Sequence, residues 1–323
     1  MQTRRLGTHG PLAPAIGLGC GPMSAGDPDD ATSVATLRAA IDAGITLIDT
    51  ADFYGNGHNE SLIRAALRTG DRERIVISDK FGGLRDPSGR FVGIDTRPSS
   101  MKSALAYSLQ RLGTDHIDIY RPARLDPDVP IEDTVGAMAE MVQAGWVRHI
   151  GLSEVGAETL RRAHAVHPIA DLQIEYSLFS RGVERSILAT CRELGVGLTA
   201  YGVLAHGLLT GAYAGGGEVG HLPRLHGDNL ATNLALVERL REVADARGVT
   251  VAHLAVAWVL AQGEEIVALV GASRPSRIAD ALTAAGLALS DADLAAIDAA
   301  VPVGAVAGER YAAPLMAMLD SER

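Results

Sequence analysis

Short apolar runs rich in β-branched residues alternate along the chain with longer stretches in which apolar residues recur at helical spacing. This alternation is typical of a parallel sheet whose strands are joined by crossover helices. Eight runs have the length and composition expected of strands: residues 16–20, 46–49, 75–80, 117–120, 149–153, 172–175, 197–201 and 266–271.

The stretches between these runs predict helices. In the clearest of them, Ser100 is a suitable N-cap and Gly113 a suitable stop, with the apolar residues between them on one face. That face consists of Met101, Ala104, Leu105, Leu109 and Leu112. Similar patterns cover residues 32–43, 131–144, 157–167 and 234–247.

Eight strand–helix units in about 250 residues are the size of a (β/α)₈ or TIM barrel. The remaining residues are enough for an N-terminal hairpin segment and a C-terminal tail. We expect a single barrel domain over residues 1–323, because no Pro-, Ser- or Gly-rich linker divides the chain. An open doubly wound sheet is the alternative, but Gly17, Gly19 and Gly21 lack the G-x-G-x-x-G spacing. Residues 214–220, with three consecutive glycines, and 221–229 predict a mobile loop after the seventh strand.

Composition and charge narrow the range of partners. The 323 residues include 29 basic and 39 acidic side chains, a net charge of −10, without the basic run that a nucleic-acid partner requires. Cys20 and Cys191 are too few for a disulfide framework or a four-ligand zinc site, so we predict no metal and a cytoplasmic location. The longest apolar stretch, residues 249–261, is shorter than the roughly 20 residues of a membrane helix, so we expect no membrane association.

The ends of the predicted strands carry the candidate chemistry, because barrel active sites lie at the carboxyl edge of the sheet. The second strand leads into Asp49 and Tyr54, and the third ends at Lys80. A buried Lys beside a Tyr favours the phenolate, and an Asp beside the Lys keeps its ammonium charged and oriented, so that the Tyr can donate a proton to a carbonyl oxygen. The alternative is that Asp49 and Lys80 form a purely structural ion pair.

Ordered motifs along nearly the whole chain resemble those of the aldo-keto reductases, which reduce carbonyls with a nicotinamide cofactor inside a (β/α)₈ barrel. They include Ile-Asp-Thr-Ala-Asp-Phe-Tyr-Gly at 48–55, Gly-Trp-Val-Arg-His-Ile-Gly-Leu-Ser at 145–153, Gln-Ile-Glu-Tyr-Ser-Leu at 173–178 and Val-Gly-Ala-Ser-Arg at 270–274. The resemblance implies that Tyr54 is the proton donor, that Lys80 promotes its ionisation and that Asp49 is the partner of Lys80.

The same resemblance implies a cofactor site. Ser153 and Gln173 match the residues that hold the nicotinamide carboxamide, and Tyr201 matches the aromatic ring on which the nicotinamide stacks. The loop 202–211 would supply backbone donors to the pyrophosphate, and the segment 271–277 matches the adenosine-phosphate site. Arginines beside a helix N-terminus suit a dianionic phosphate, which favours NADP(H) over NAD(H). In these two segments the implied contacts are Gly202, Leu204, Gly207, Gly271, Ser273, Arg274 and Arg277.

Two positions depart from the family pattern. Ala123 stands where the family usually has a catalytic His, and Glu154 stands where it often has Asn. Arg121 is two residues before Ala123 and so shares its side of the strand, from which it would reach the pocket or neutralise Asp49 or Asp118.

The expected activity is NADPH-dependent reduction of an aldehyde or ketone. Alternatives are a cofactor-binding sensor or regulatory subunit with little turnover, and a polyol or sugar dehydrogenase that runs in the opposite direction. The sequence does not identify the substrate or the oligomeric state. It also leaves open whether the tail, residues 308–323, folds over the barrel mouth or packs on the exterior.

Overall fold

Eight parallel strands form a closed barrel, which confirms the predicted (β/α)₈ class. The computed structural model describes residues 2–25, 29–211, 213 and 221–322. Barrel strands pair with their neighbours in chain order, and the ring closes where Ala268 pairs with Ile16 and Gly271 with Gly19. In chain order the strands are Thr3–Arg5 (β1), Leu12–Pro14 (β2), Ile16–Gly19 (β3), Leu47–Asp49 (β4), Val76–Phe81 (β5), Gly83–Arg85 (β6), Phe91–Ile94 (β7), Ile117–Pro122 (β8), Val147–Ser153 (β9), Ile169–Glu175 (β10), Gly197–Tyr201 (β11) and Ile266–Gly271 (β12).

Helices cover the outer face of the barrel, and their ends follow local capping chemistry. Asp29 accepts a hydrogen bond from the Thr32 N–H at the start of the first helix, and Gly113 ends the third with a left-handed φ of 67°. The helices are Asp30–Asp42 (α1), His58–Ala66 (α2), Pro98–Leu112 (α3), Ile131–Gln143 (α4), Ala157–Val166 (α5), Ile187–Leu194 (α6), Gly227–Ala246 (α7), Val251–Ala261 (α8), Ser276–Ala285 (α9), Asp291–Ala300 (α10) and Ala313–Met316 (α11).

The N-terminal hairpin closes the lower end of the barrel. β1 and β2 pair in antiparallel register, and Leu6 and Ala13 join the apolar cluster of the barrel interior, which also contains Leu47, Val76, Ile119, Val267 and Leu269. Arg4 of β1 donates to the carbonyl oxygens of Gly263 at 2.8 Å and Leu260 at 3.0 Å. Because the lower end is packed and hydrogen-bonded, the interior is approached from the carboxyl ends of the strands.

Three expectations need correction. Ser100 is not an N-cap, because α3 already begins at Pro98, a residue suited to a first helical position, and the Ser100 hydroxyl donates instead to Asp95 at 2.7 Å. Residues 221–229 are only partly a loop: 221–226 form turns, including the 3₁₀ turn Pro223–Leu225, and α7 begins at Gly227, seven residues before the predicted start. The glycine-rich segment 214–220 lies outside the described residues.

No single helix among the described residues is long and apolar enough to cross a membrane. Two consecutive helices, α7 and α8, meet the length and composition criteria only together, and they are bent by 88°.

Candidate active site

Asp49, Tyr54 and Lys80 meet at the carboxyl end of the barrel. Lys80 Nζ lies 2.5 Å from Asp49 Oδ1 and 5.2 Å from the centre of the Tyr54 ring. Both members of the ion pair are about 95% buried, because they project from adjacent strands, β4 and β5. The Tyr54 hydroxyl makes no hydrogen bond within the described part of the chain and faces a cavity. A phenol with a free hydroxyl beside a fixed ammonium is well arranged to donate a proton.

The carboxylate of Asp49 is held by three donors. Besides Lys80, it accepts from Ser78 Oγ at 2.8 Å and from Gln173 Nε2 at 2.6 Å. Burial alone would lower the pKa of Lys80, but the attraction of Asp49 and Tyr54 outweighs it and raises the pKa overall. Lys80 is therefore a permanent cation with a fixed position.

Arg121 supports this arrangement from below rather than from the cavity. It is fully buried, its Nη2 donates to Ser78 Oγ at 2.9 Å, and the same atom lies 3.2 Å from Asp171 Oδ1. The expectation that Arg121 reaches the pocket or neutralises Asp49 or Asp118 is thus wrong, since its ion-pair partner is Asp171. The two residues lie on β8 and β10, and Gly151 of the intervening strand leaves them room: a Cβ there would sit 2.6 Å from Asp171 Oδ1.

A second group of buried carboxyls backs the loop that carries Tyr54. Glu60 and Asp79 are fully buried, and Glu60 is paired with Arg111. Burial and the negative charge of Glu60 raise the pKa of Asp52 to about 7 and that of Asp79 well above its usual range. This cluster lies behind the loop, outside the cavity that Tyr54 faces.

The cavity above Tyr54 has a volume of about 700 Å³. Its wall includes the three candidate catalytic residues, Ala123, and seven of the residues predicted to contact the cofactor. These are Ser153, Gln173, Tyr201, Gly202, Leu204, Gly207 and Gly271. The predicted phosphate residues Ser273, Arg274 and Arg277 lie beyond the cavity, where Arg274 and Arg277 are exposed at the start of α9 and Arg277 is 3.5 Å from Asp280.

The polar groups of this wall fit a nicotinamide. Because Gln173 Nε2 donates to Asp49, its amide oxygen is left to accept from a carboxamide, and the Ser153 hydroxyl is likewise unpartnered within the described residues. Gly21 also lines the cavity, and a Cβ there would lie against the Tyr54 ring, 3.4 Å from its Cε2. The adenosine end of a dinucleotide would extend from Gly271 toward Arg274 and Arg277.

The C-terminal tail folds over the mouth, and Arg310 fastens it there. Arg310 is 94% buried and donates to Glu154 at 2.7 Å, to Glu175 at 3.0 Å and to Glu322 at 2.7 Å. Beyond this anchor the tail supplies Tyr311, Leu315, Met318 and Leu319 to the cavity wall. This group of residues, Arg310 with Glu154, Glu175 and Glu322, is called the tail anchor below.

Glu154 is not part of the cavity wall, and its carboxylate belongs to the tail anchor. It accepts hydrogen bonds from the Tyr201 hydroxyl at 2.7 Å and from Ser321 at 2.6 Å. Burial raises the pKa of Glu154, but Arg310 outweighs it and brings the pKa down to about 2. Its φ of 53° is unusual for a non-glycine residue and is better tolerated by Asn, the residue that the family often has here.

Comparisons with known proteins agree with this geometry. The model of the aldo/keto reductase family matches residues 15–302. The chain belongs to this family. A relative named "Probable aldo-keto reductase 1" from Glycine max is 38% identical, with 96% of this chain and 92% of the relative covered. The aldo-keto reductase yakc [NADP(+)] of Schizosaccharomyces pombe is 37% identical, with 96% and 94% covered.

Solved structures of aldo-keto reductases share the fold. A glycerol dehydrogenase from Gluconobacter oxydans has a TM-score of 0.83 and 30% identity, covering 92% of this chain and 94% of that one. An aldo-keto reductase from Klebsiella pneumoniae in complex with NADPH has a TM-score of 0.75 and 29% identity, covering 97% and 99%. Within the family, this member carries the small Ala123 in the cavity wall and an Arg-anchored tail across the mouth.

Proposed function

We propose that the protein is an NADP(H)-dependent reductase of aldehydes or ketones in which Tyr54 donates the proton. The observation that carries this proposal is the free Tyr54 hydroxyl, which faces the cavity beside the Lys80–Asp49 pair. Relatives whose names or titles mention NADP(+) or NADPH support the choice of cofactor.

NADPH, when bound, supplies the hydride. Lys80 stabilises the charge that Tyr54 develops as it gives its proton to the carbonyl oxygen, and Asp49 keeps Lys80 in place. Gln173 and Ser153 would orient the nicotinamide by its carboxamide, with Tyr201 against the ring and held at its hydroxyl by Glu154. The tail residues exclude water from the reacting atoms.

We expect the purified protein to oxidise NADPH in the presence of a panel of aldehydes, ketones, quinones and dicarbonyls, as measured by the loss of NADPH absorbance. Ala123 offers no hydrogen bond to the carbonyl oxygen, and the loss of one such donor typically costs about 10²–10³-fold in rate. Simple aldehydes should therefore be slower substrates than carbonyl compounds that are intrinsically activated. Tight NADPH binding without turnover on any of them would indicate a sensor instead.

Oxidation of a polyol is the second candidate, because the similar structure from Gluconobacter oxydans is a glycerol dehydrogenase. The same Tyr54 would then accept a proton from the alcohol. Initial rates with glycerol and NADP⁺, compared with rates of carbonyl reduction, distinguish the two directions.

The preference for NADPH is expected to depend on Arg274 and Arg277. Replacing both with Ala should weaken NADPH binding by roughly 1.5–3 kcal/mol, since charge-assisted bonds contribute that much each and Arg277 is exposed and already near Asp280. NADH, which lacks the 2′-phosphate, should bind almost as before. Fluorescence titration of both cofactors measures the difference.

A matched control removes two exposed arginines that are not part of the cavity wall. Arg161 and Arg162 on α5 pair with Glu193 and Glu132, and their replacement by Ala should leave the affinities for both cofactors unchanged. An equal loss of NADPH and NADH binding in the Arg274/Arg277 variant would contradict the assignment of the phosphate site.

A further inference from the structure

Arg124 carries a cation into the cavity and has no ion-pair partner in the part of the chain that the structure describes. It follows β8, and its Nη1 donates to the carbonyl oxygen of Ala123 at 2.6 Å. No carboxylate oxygen of the described residues lies within 4.0 Å of its guanidinium. Glu154 acts on it electrostatically, but the oxygens of Glu154 are bonded to Arg310, Tyr201 and Ser321. Several N–H groups of Arg124 are therefore free to bind a ligand.

Among the described residues, the side chains that line the cavity carry a surplus of positive charge. Its one carboxylate among the described residues, Asp49, is neutralised by Lys80. Arg85 also lines the wall and donates to the carbonyl oxygens of Phe53 at 2.9 Å and Gly89 at 2.6 Å, so its charge is not balanced there. A positive cavity in a protein with a net charge of −10 favours an anionic ligand over a neutral or cationic one.

Arg124 enters the cavity from a different strand than the proposed cofactor residues, and its electrostatic neighbours include Tyr201 and Tyr311. The proposed cofactor residues come from the ends of β9–β12 and the following loops, whereas Arg124 follows β8, whose Arg121 and Pro122 pair with Lys80 and Phe81 of β5. The same cavity wall includes the apolar side chains of Phe53, Phe91, Ile94, Leu315 and Met318. A molecule that reacts at Tyr54 would thus lie in a cavity lined by these apolar side chains and by the Arg124 guanidinium.

We propose that Arg124 binds a carboxylate on the substrate, so that the preferred substrates are aldehydes or ketones with an apolar body and a carboxylate remote from the reacting carbonyl. This inference rests on the proposed function. A planar guanidinium binds one carboxylate through two parallel hydrogen bonds, and a half-buried site strengthens them. The Ala123 carbonyl fixes the direction of the guanidinium before the substrate arrives.

A matched pair of substrates tests the proposal. 4-Formylbenzoate and 4-formylbenzamide have nearly the same shape, but only the first carries a charge. We expect the wild-type protein to favour the benzoate in kcat/KM by about tenfold or more, and Arg124→Gln to bring this ratio close to one. Arg124→Lys keeps the positive charge but cannot form two parallel hydrogen bonds to one carboxylate, so it should give an intermediate ratio. Arg161→Gln, which removes an exposed charge on α5, should leave the ratio as in the wild type.

A binding measurement separates this inference from the proposed function. Calorimetry with NADPH present should show that 4-(hydroxymethyl)benzoate binds about tenfold more tightly than the corresponding benzamide, and that Arg124→Gln removes the difference. Arg124-dependent binding without turnover of either aldehyde would uphold the carboxylate site and contradict the reductase. Equal ratios in the wild-type and Arg124→Gln proteins, or an Arg124→Gln effect confined to NADPH affinity, would overturn the carboxylate site.

Discussion

Tyr54→Phe is expected to lower kcat/KM for carbonyl reduction by about 10²–10⁴-fold, the usual contribution of a positioned general acid. The ring and its contact with Lys80 remain, while the only proton in reach of the carbonyl oxygen from this side chain is removed. The Tyr54 hydroxyl has no hydrogen-bond partner among the described residues, so its loss should leave the fold intact. Steady-state kinetics together with NADPH titration measure both effects.

Affinity for NADPH in this variant should stay within about threefold of the wild type, because the lost group acts only on developing charge. Tyr107→Phe is the control: it removes a hydroxyl from an exposed tyrosine on α3 and should not change the kinetics. Wild-type turnover by Tyr54→Phe would exclude Tyr54 as the proton donor, and equal loss in both variants would point to a nonspecific effect.

The barrel could be predicted from the sequence because its strands are buried on both faces and therefore appear as short apolar runs. All eight runs are strands in the structure, with ends that differ by a few residues. The hairpin of β6 and β7 was not predicted, since its side chains are largely exposed and have no clear apolar pattern. The start of α3 was misplaced because Pro98 and Ser100 both suit a helix start, and only the backbone decides between them.

The candidate catalytic residues could be located because each comes directly after a strand, and barrel topology brings strand ends together. Their roles stay predictions. Pairings across distant elements could not be predicted: Arg121 meets Asp171 across an intervening strand, and Arg310 meets Glu154 from 156 residues away. A lone Arg in a tail has no sequence signal that names its partner, because the partner depends on where the tail folds.

Arg310→Met is expected to destabilise the protein by about 3–5 kcal/mol at neutral pH, the usual cost of leaving buried charges without their partner. Glu154 and Glu175 are both at least 97% buried, and Arg310 is the cation that lies within 3.0 Å of each. The Met side chain keeps much of the packing of the Arg stem, so the decrease in unfolding free energy measures mainly the effect of removing the charge. Urea unfolding at neutral pH measures it.

The pH dependence of this loss identifies its cause. In the wild type, Arg310 holds the pKa of Glu154 near 2, below its value in the unfolded chain, so this stabilisation is complete above about pH 4.5 and is lost only as the pH falls toward 2. In Arg310→Met the main cause of the low pKa is gone, and burial, the largest influence on Glu154, is opposed by Arg124 and the Ser321 hydroxyl. We therefore expect the pKa of Glu154 to rise, so that protonation relieves the penalty in acid and the penalty grows as the pH rises. The difference in unfolding free energy between the two proteins should therefore be smaller at pH 5 than at pH 8.

Arg161→Met is the control: it breaks an exposed ion pair with Glu193 and should lower the unfolding free energy by less than about 1 kcal/mol at both pH values. A loss for Arg310→Met that is equally small, or that does not change with pH, would show that the tail anchor does not stabilise the fold through its charges.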